Sequence, residues 1–352
     1  MKHLISYLKL RGFKFAFNLF YYHFFWCGRH PLLTKLIYWL NPYPPYIEVE
    51  VTTRCNMKCI ICEHTYWQEP QRDMTFEEFK YILDQFPRLR WIGLTGIGES
   101  FLNKDFIKML AYAKSKSLLV EIYDNFSLID QKTADELIRL KIDSVYASID
   151  AATKDTYEKI RAGGDFGRVI DNVRYFIKAK KLNGAPLTAF NFHYIVSKVN
   201  LHEMLPYLEL VHALSKGDNV TVQFTRLLHS YKEIGDLFVE IPQDLISKVE
   251  NKARESAITL SWNANTRGQK PTAKNCIEWT MPFIFVTGDV IPCCAGNEAN
   301  QRNFQKVNSL GNIFEKNFRK IWRGEKYKEL RDNLYQGRFP AACKDCCLYR
   351  ES

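Results

Sequence analysis

The chain has 352 residues, 46% hydrophobic and 25% charged, with a formal net charge of +10. That length can bury a large catalytic domain with a smaller appendage, and the ordinary globular mixture excludes a low-complexity or disordered polymer. The excess of 49 Lys and Arg over 39 Asp and Glu is spread rather than blocked; it reads as a basic surface, with no nucleic-acid partner expected.

Residues 4–40 are rich in Phe, Tyr, Leu and Trp but are broken by Lys9, Arg11, Lys14, Arg29 and Lys35. No apolar run reaches the ~18 residues of a spanning helix, and the charged start, clean apolar core and small-residue cleavage site of a signal peptide are not evident. A cytoplasmic protein is expected. The stretch from Phe13 to Trp39 either packs as helices on the body of the protein or makes peripheral contact with a membrane.

Runs at Tyr46 to Val51, Trp91 to Thr95, Leu118 to Tyr123, Ser144 to Ile149, Ala189 to Val196 and Val220 to Thr225 predict six strands. Helical patterns lie between them, at Thr75 to Gln85, Lys104 to Ser115, Gln131 to Leu140, Phe166 to Lys181 and Leu201 to Leu214. Thr75 followed by Glu78 forms a capping-box pattern, and Asp130 is placed to N-cap the third helix. Strict alternation implies an α/β fold with parallel strands and right-handed crossovers, here a partial (β/α)6 TIM-like barrel with its active site at the C-terminal strand ends. After residue 230 the alternation stops. Phe283 to Ile291, turning at Thr287-Gly288, predicts a β-hairpin, Phe314 to Leu334 a helix, and the chain finishes in a cysteine-rich segment. The expected organisation is an aromatic and basic helical segment at 1–45, the barrel at 46–230, a connecting segment at 231–270 and a small cysteine-framed hairpin-plus-helix domain at 271–352.

Ten cysteines cluster tightly, which in a chain of this size points to metal binding rather than to a disulfide framework. Cys55, Cys59 and Cys62 form a CxxxCxxC just past the first strand. Three thiolates in one loop can occupy three corners of a [4Fe–4S] cube and leave the fourth iron open; a zinc site completed by His64 is the alternative. A second set comprises Cys276, Cys293, Cys343 and Cys346, with Cys294 and Cys347 as adjacent substitutes. CxxC pairs suit zinc as well as iron. Cys27 reads as a buried thiol.

The CxxxCxxC loop after the first strand of a partial barrel resembles the signature of the radical S-adenosylmethionine (SAM) superfamily. The resemblance implies further residues. Gly96-Ile97-Gly98-Glu99, after the second strand, corresponds to the glycine-rich turn that meets the SAM amino group, although the family's paired glycines are here separated by Ile97. Asn125 matches the turn after the third strand, where Asp124 and Phe126 depart from the family's Thr-Asn-Gly. Ser148 or Asp150 would meet ribose hydroxyls and Arg161 the methionine carboxylate; without the cysteine loop, Asp150 would read as a helix cap and Arg161 as a surface charge. The C-terminal set is similar to the SPASM/twitch appendage that wraps an auxiliary [4Fe–4S] cluster. Its six cysteines suit the one-cluster twitch form, as in enzymes of the 2-deoxy-scyllo-inosamine dehydrogenase type.

The resemblance implies reductive cleavage of SAM at the first cluster, with a flavodoxin or ferredoxin as reductant, and hydrogen abstraction from a substrate by the 5′-deoxyadenosyl radical. Four auxiliary thiolates leave no open iron, so the second cluster would accept an electron and the outcome would be oxidation or rearrangement of a small polar or sugar-like metabolite, free or lipid-linked. A peptide-modifying maturase and a non-enzymatic iron–sulfur or zinc protein are the alternatives. Strand position alone nominates Glu50, Tyr123, His193, Gln223 and Arg226 as bases or binders, and singles out none as catalytic.

Overall fold

A computed structural model describes residues 12–26, 31–182, 188–227, 231–263, 270–294 and 301–352; Cys27 and the start of the aromatic segment lie outside them. Two compact units are present, one formed by Met1–Arg54, Gln71–Val120 and Gln269–Ser352, the other by Cys55–Pro70 and Glu121–Gly268.

In the first unit, β1 (Tyr46–Val49) lies between two parallel neighbours, β3 (Trp91–Leu94) and β10 (Phe283–Ile284), with Val49 opposite Leu94 on one side and Ile284 on the other. Ile47, Val49, Ile92, Leu94 and Ile284 are all fully buried, as expected of strands covered on both faces. The chain then turns at Gly288 into β11 (Asp289–Ile291), antiparallel to β10, and β12 (Gly311–Asn312) adds beyond it. Gly288 has a φ of 88°, and a Cβ there would lie 2.4 Å from the Phe314 ring; the hairpin turn therefore needs glycine. The expected hairpin forms, and it also prolongs the parallel sheet at the free side of β1.

The helix Phe76–Asp84 opens on the predicted capping box, with Thr75 and Glu78 bonding each other's backbone N–H. The single helix expected over Phe314 to Leu334 is instead two, Phe318–Arg323 and Glu325–Tyr335. Gly324 breaks it with an extended backbone, ending one helix and starting the next.

Glu50, just beyond β1, is fully buried and paired with fully buried Arg302. Both terminal nitrogens of Arg302 donate to the carboxylate, one at 2.9 Å. The Val286 N–H donates at 3.1 Å and the Ile97 N–H at 3.3 Å. The guanidinium stacks 3.7 Å from the centre of the Phe285 ring. Strand position had nominated Glu50 as a base or binder; the structure overturns that, because a carboxylate without water must be paired and hydrogen-bonded, and these oxygens already are.

In the second unit, β4 (Leu119–Asp124), β5 (Ser144–Ser148), β7 (Ala189–Val196), β8 (Val220–Arg226) and β9 (Thr259–Asn263) are successive parallel neighbours. The alternation thus continues past residue 230, contrary to expectation, through the helix Gln243–Glu255 and β9. That helix buries only Ile246, Val249 and Ala253, and β9 reads Thr-Leu-Ser-Trp-Asn, too short and polar to stand out in sequence. Period-two alternation divides the sheet into two faces. Val145, Phe190, Phe192, Val222 and Phe224 are buried on one. Tyr123, Tyr146, Ser148, His193, Gln223 and Thr225 occupy the other, paired across strands as Tyr123 with Tyr146, Ser148 with His193, and His193 with Gln223. Arg226 falls on the opposite face from Gln223 and pairs with Glu240 at 2.7 Å.

Replacing Glu50 by Ala strands the Arg302 charge and is expected to lower stability by about 3–5 kcal/mol. The double replacement Glu50→Leu, Arg302→Met should recover much of that loss in a denaturant titration. Equal losses in both variants would show that the pair does not govern the effect.

Candidate functional site

The cysteine loop belongs to the second unit and is held by its backbone. The short strand β2 (Lys58–Cys59) pairs antiparallel with β6 (Arg161–Ala162), which sets Cys59 opposite Arg161. The Ile60 N–H donates to Ile160 O at 2.9 Å, and the Thr65 hydroxyl to Cys59 O at 2.6 Å. Asn56, between the first two cysteines, accepts from the Asn125 amide at 2.9 Å and donates to the Ser127 hydroxyl at 2.8 Å; that hydroxyl donates back to Asn125 at 2.6 Å. The structure therefore places predicted Asn125 as a brace of the cysteine loop. Its neighbour Phe126 has a φ of 61°, where a glycine would be at ease, and is fixed there by packing against Phe176 and Phe190.

The loop cysteines pack with Met57, Ile61, Ile160, Leu227 and Ile234. Burial pushes all three thiols above the usual thiol range, partly offset at Cys59 by the Arg161 guanidinium. Buried thiols held protonated in this way suit soft metal ions, which displace the proton and supply the missing positive charge. Among the described residues no three His, Cys, Asp or Glu side chains gather closely enough for a single metal ion, whereas a cube takes each thiolate on a separate iron.

Asp150 and Arg161 meet as a buried ion pair at 2.5 Å. The other Asp150 oxygen accepts the Ile195 N–H at 2.7 Å, and Asn200 donates to the Asp150 carbonyl at 2.8 Å. Burial disfavours the charge on Arg161, but the Asp150 carboxylate outweighs it and the guanidinium is held firmly protonated. His193 lies within reach of both charges; desolvation lowers it to about 4, so its ring is neutral, and Nε2 is 2.9 Å from the Thr225 hydroxyl. Ser148 is half-buried beside it in the register. Tyr123 stacks on Tyr146 at 4.2 Å and meets His193 edge-on.

Gly96, Gly98 and Glu99 belong to the first unit. A Cβ on Gly98 would lie 2.4 Å from Thr52 O and 2.6 Å from Arg54 O, and one on Gly96 would lie 2.6 Å from the Glu50 side chain. Both glycines are thus required by close packing on the chain leaving β1. The Glu99 N–H donates to Arg54 O at 2.7 Å, and the Glu99 side chain is buried.

The C-terminal cysteines, also in the first unit, surround one cavity. Cys276, Cys293, Cys343 and Cys346 line it together with apolar Trp279, Pro292, Leu334 and Phe339; Cys294 and Cys347 are not among its lining residues. Asp345 adopts a left-handed φ of 54°, the turn between Cys343 and Cys346. Burial raises Cys276 and Cys293 well above the usual range and Cys343 to about 12. Four cysteines around an apolar cavity fit an iron–sulfur cluster. Sequence reading had not identified Asn56, Ser127, Asn200 or Arg302 as supports. Asn56 alone had a signal, its place inside the cysteine loop.

Residues 49–211 match the radical SAM superfamily and residues 276–347 match SPASM, an iron–sulfur cluster-binding domain. The chain belongs to the radical SAM superfamily and carries a SPASM domain; it is an enzyme of the class that uses SAM and [4Fe–4S] clusters. It is similar to the tungsten-containing aldehyde ferredoxin oxidoreductase cofactor-modifying protein of Pyrococcus furiosus, at 26% identity over 86% of this chain and 87% of that protein. Mycofactocin maturase MftC of Mycolicibacterium smegmatis is 23% identical over 51% of this chain and 43% of its own length. Among solved structures, Streptococcus suis SuiB bound to S-adenosylmethionine shares the fold, with a TM-score of 0.67 and 15% identity over 88% of this chain and 77% of that one. The fold is α/β, the mostly parallel sheet of a partial TIM-like barrel.

The low His193 value makes stability pH-dependent. Above pH 6.5 the ring is neutral in folded and unfolded chains alike. As the pH falls from 6.5 towards about 4, the unfolded chain takes up the proton first, so folded-state stability declines by up to about 3 kcal/mol. In His193→Gln, denaturant midpoints measured across that window should fall less steeply on acidification than in the parent chain; an unchanged slope would place the effect elsewhere.

Proposed function

We propose that this enzyme oxidises or rearranges a small polar or sugar-like substrate, free or lipid-linked. Cys55, Cys59 and Cys62 hold the SAM-binding cluster, and Cys276, Cys293, Cys343 and Cys346 the auxiliary one. The observation that carries the substrate reading is the second face of the β4–β9 sheet. Tyr123, Tyr146, Ser148, His193, Gln223 and Thr225 offer hydroxyl, amide and neutral imidazole groups; Glu121 shares the face but is buried towards the N-terminal strand ends, opposite Ser144, so the C-terminal part of the lining suits a hydroxylated neutral molecule. The likeness to a cofactor-modifying protein over most of both chains supports the same reading.

When bound, the first cluster and SAM supply a 5′-deoxyadenosyl radical able to take a hydrogen atom from an unactivated carbon. The chain's own residues position and shield. Gly96, Gly98 and Glu99 take the amino-group role given by the family pattern. Asp150 has partners for both oxygens, which favours Ser148 for the ribose, while Arg161 has N–H donors beyond those Asp150 uses for the methionine carboxylate. Neutral His193 can donate or accept one hydrogen bond to substrate without adding charge beside the Asp150–Arg161 pair. Four protein thiolates at the auxiliary set leave no iron for substrate, which suits electron acceptance and an oxidative outcome. A flavodoxin or ferredoxin is the fitting reductant.

Peptide modification is the second reading, favoured by the similarity to a mycofactocin maturase. Candidate small polyols and peptides, each incubated anaerobically with SAM and dithionite, separate the two by which one gains substrate-dependent 5′-deoxyadenosine.

Reconstituted protein should bind about eight irons and form 5′-deoxyadenosine from SAM. Replacing Cys55, Cys59 and Cys62 together by Ala should abolish the nucleoside and leave about four irons. Nucleoside production surviving that change would refute the catalytic assignment.

A further inference from the structure

Two N-terminal helices, α1 (Phe13–Trp26) and α2 (Pro31–Leu40), turn apolar faces outward. Their inner faces are well anchored. On α1, Ala16 and Leu19 are buried, and the Asn18 amide donates to Ser117 O at 3.0 Å. On α2, Thr34 and Ile37 are buried, and the Tyr38 ring packs between Trp279 and Tyr335 while its hydroxyl donates to the carbonyl of Cys276 at 3.0 Å.

The outer faces are the unusual ones. Phe13, Phe17 and Phe20 follow one another at helical spacing along α1, and on α2 Leu32, Leu36 and Trp39 do the same, with Phe13, Leu32 and Trp39 each at least 70% exposed. Of the eleven large hydrophobic side chains exposed among the described residues, seven lie on these two helices. A helix packed on a soluble body ordinarily shows polar groups to water, and an apolar surface concentrated in this way marks an interaction site.

Charge identifies the partner. Residues 1–47 contain Lys2, Lys9, Arg11, Lys14, Arg29 and Lys35 and no Asp or Glu at all. Lys14 and Lys35 are exposed on the helices themselves, and Arg90 lies 5.3 Å from the centre of the Phe17 ring, Lys114 4.6 Å from that of Phe15. Aromatic and leucine side chains interleaved with bases and free of acids match the boundary between acyl chains and anionic headgroups. Among the described residues no helix is long and apolar enough to cross a membrane. We infer that α1 and α2 are a monotopic anchor that seats this enzyme on an anionic lipid surface, with Phe13, Phe17, Leu32, Leu36 and Trp39 in the acyl boundary and Lys14 and Lys35 at the phosphates. The anchor rests on the lipid-linked form of the function proposed above only for its purpose, and the bond from Tyr38 ties it to the backbone of a candidate auxiliary-cluster cysteine.

The test is co-sedimentation of the reconstituted full chain with vesicles of phosphatidylcholine, with and without phosphatidylglycerol, in the absence of SAM and substrate, so that it is read independently of catalysis. The parent protein should pellet with the anionic vesicles and be partly released by salt. Phe13→Ser, Leu36→Ser, Trp39→Ser combined should weaken binding at least about tenfold while iron content and SAM cleavage are kept. If that variant loses its iron, Lys14→Glu with Lys35→Glu carries the test, with the same direction expected on anionic vesicles. Failure of the parent to pellet, binding indifferent to these changes, or a concentration-dependent self-association that the triple variant abolishes without any vesicle binding would each overturn the anchor.

Discussion

A carboxylate stripped of water organises the first unit. Glu50 stands where β1 ends, and its donors come from three distant stretches: Arg302, the Val286 backbone after β10, and the Ile97 backbone in the glycine turn. Apolar packing alone tolerates sliding, whereas a buried ion pair with directed N–H donors does so only at the cost of stranded charge. The register of the hairpin on β1 and the seat of the glycine turn are thus referred to one side chain. Gly96 follows from the same constraint, because any Cβ there would strike the Glu50 stem.

The second unit solves a different problem, that of holding three thiols in place while leaving them free to bind metal. The main fastenings of the loop act on its backbone and on Asn56, while the Met57 and His64 N–H groups and the Arg161 guanidinium donate to the sulfurs. The β2–β6 ladder, the Thr65 hydroxyl and the Asn56–Asn125–Ser127 ring fix the backbone around the cysteines, so the sulfurs remain available. Behind them the Asp150–Arg161 pair puts a fixed positive charge next to Cys59. Such outer contacts orient ligands and tune the charge at a metal centre.

Polarity in the β4–β9 sheet is distributed by the strand period. One face is mainly aromatic and aliphatic, with Arg226 at its end; the other carries hydroxyls, the Asn191 and Gln223 amides, a neutral imidazole and the buried Glu121 carboxylate. The N-terminal helices are apolar on both sides, burying Leu19 and Ile37 inward while turning Phe13, Leu32 and Trp39 outward. Both patterns oppose what folding alone would select, and both therefore mark places where binding rather than stability chose the residues.

Sequence by itself determined whatever depends on neighbours a few residues away: the spacing of Cys55, Cys59 and Cys62, the cap made by Thr75 and Glu78, the turn at Gly288, and the alternation of strands and helices up to residue 227. Those are local features, decided by backbone geometry and short-range hydrogen bonding. Tertiary structure alone decided which cysteine of each C-terminal doublet lines the cavity, that Asn125 braces the cysteine loop, that Asp150 and Arg161 meet, and that Glu50 is consumed by a partner 252 positions away. It also decided that Gln223 and Arg226 part to opposite faces and that a polar segment, Thr259–Asn263, becomes a strand at the sheet edge. The physical reason is the same in each case: a buried charge or an exposed backbone edge is satisfied by whatever the fold brings to it, and no local pattern encodes that partner.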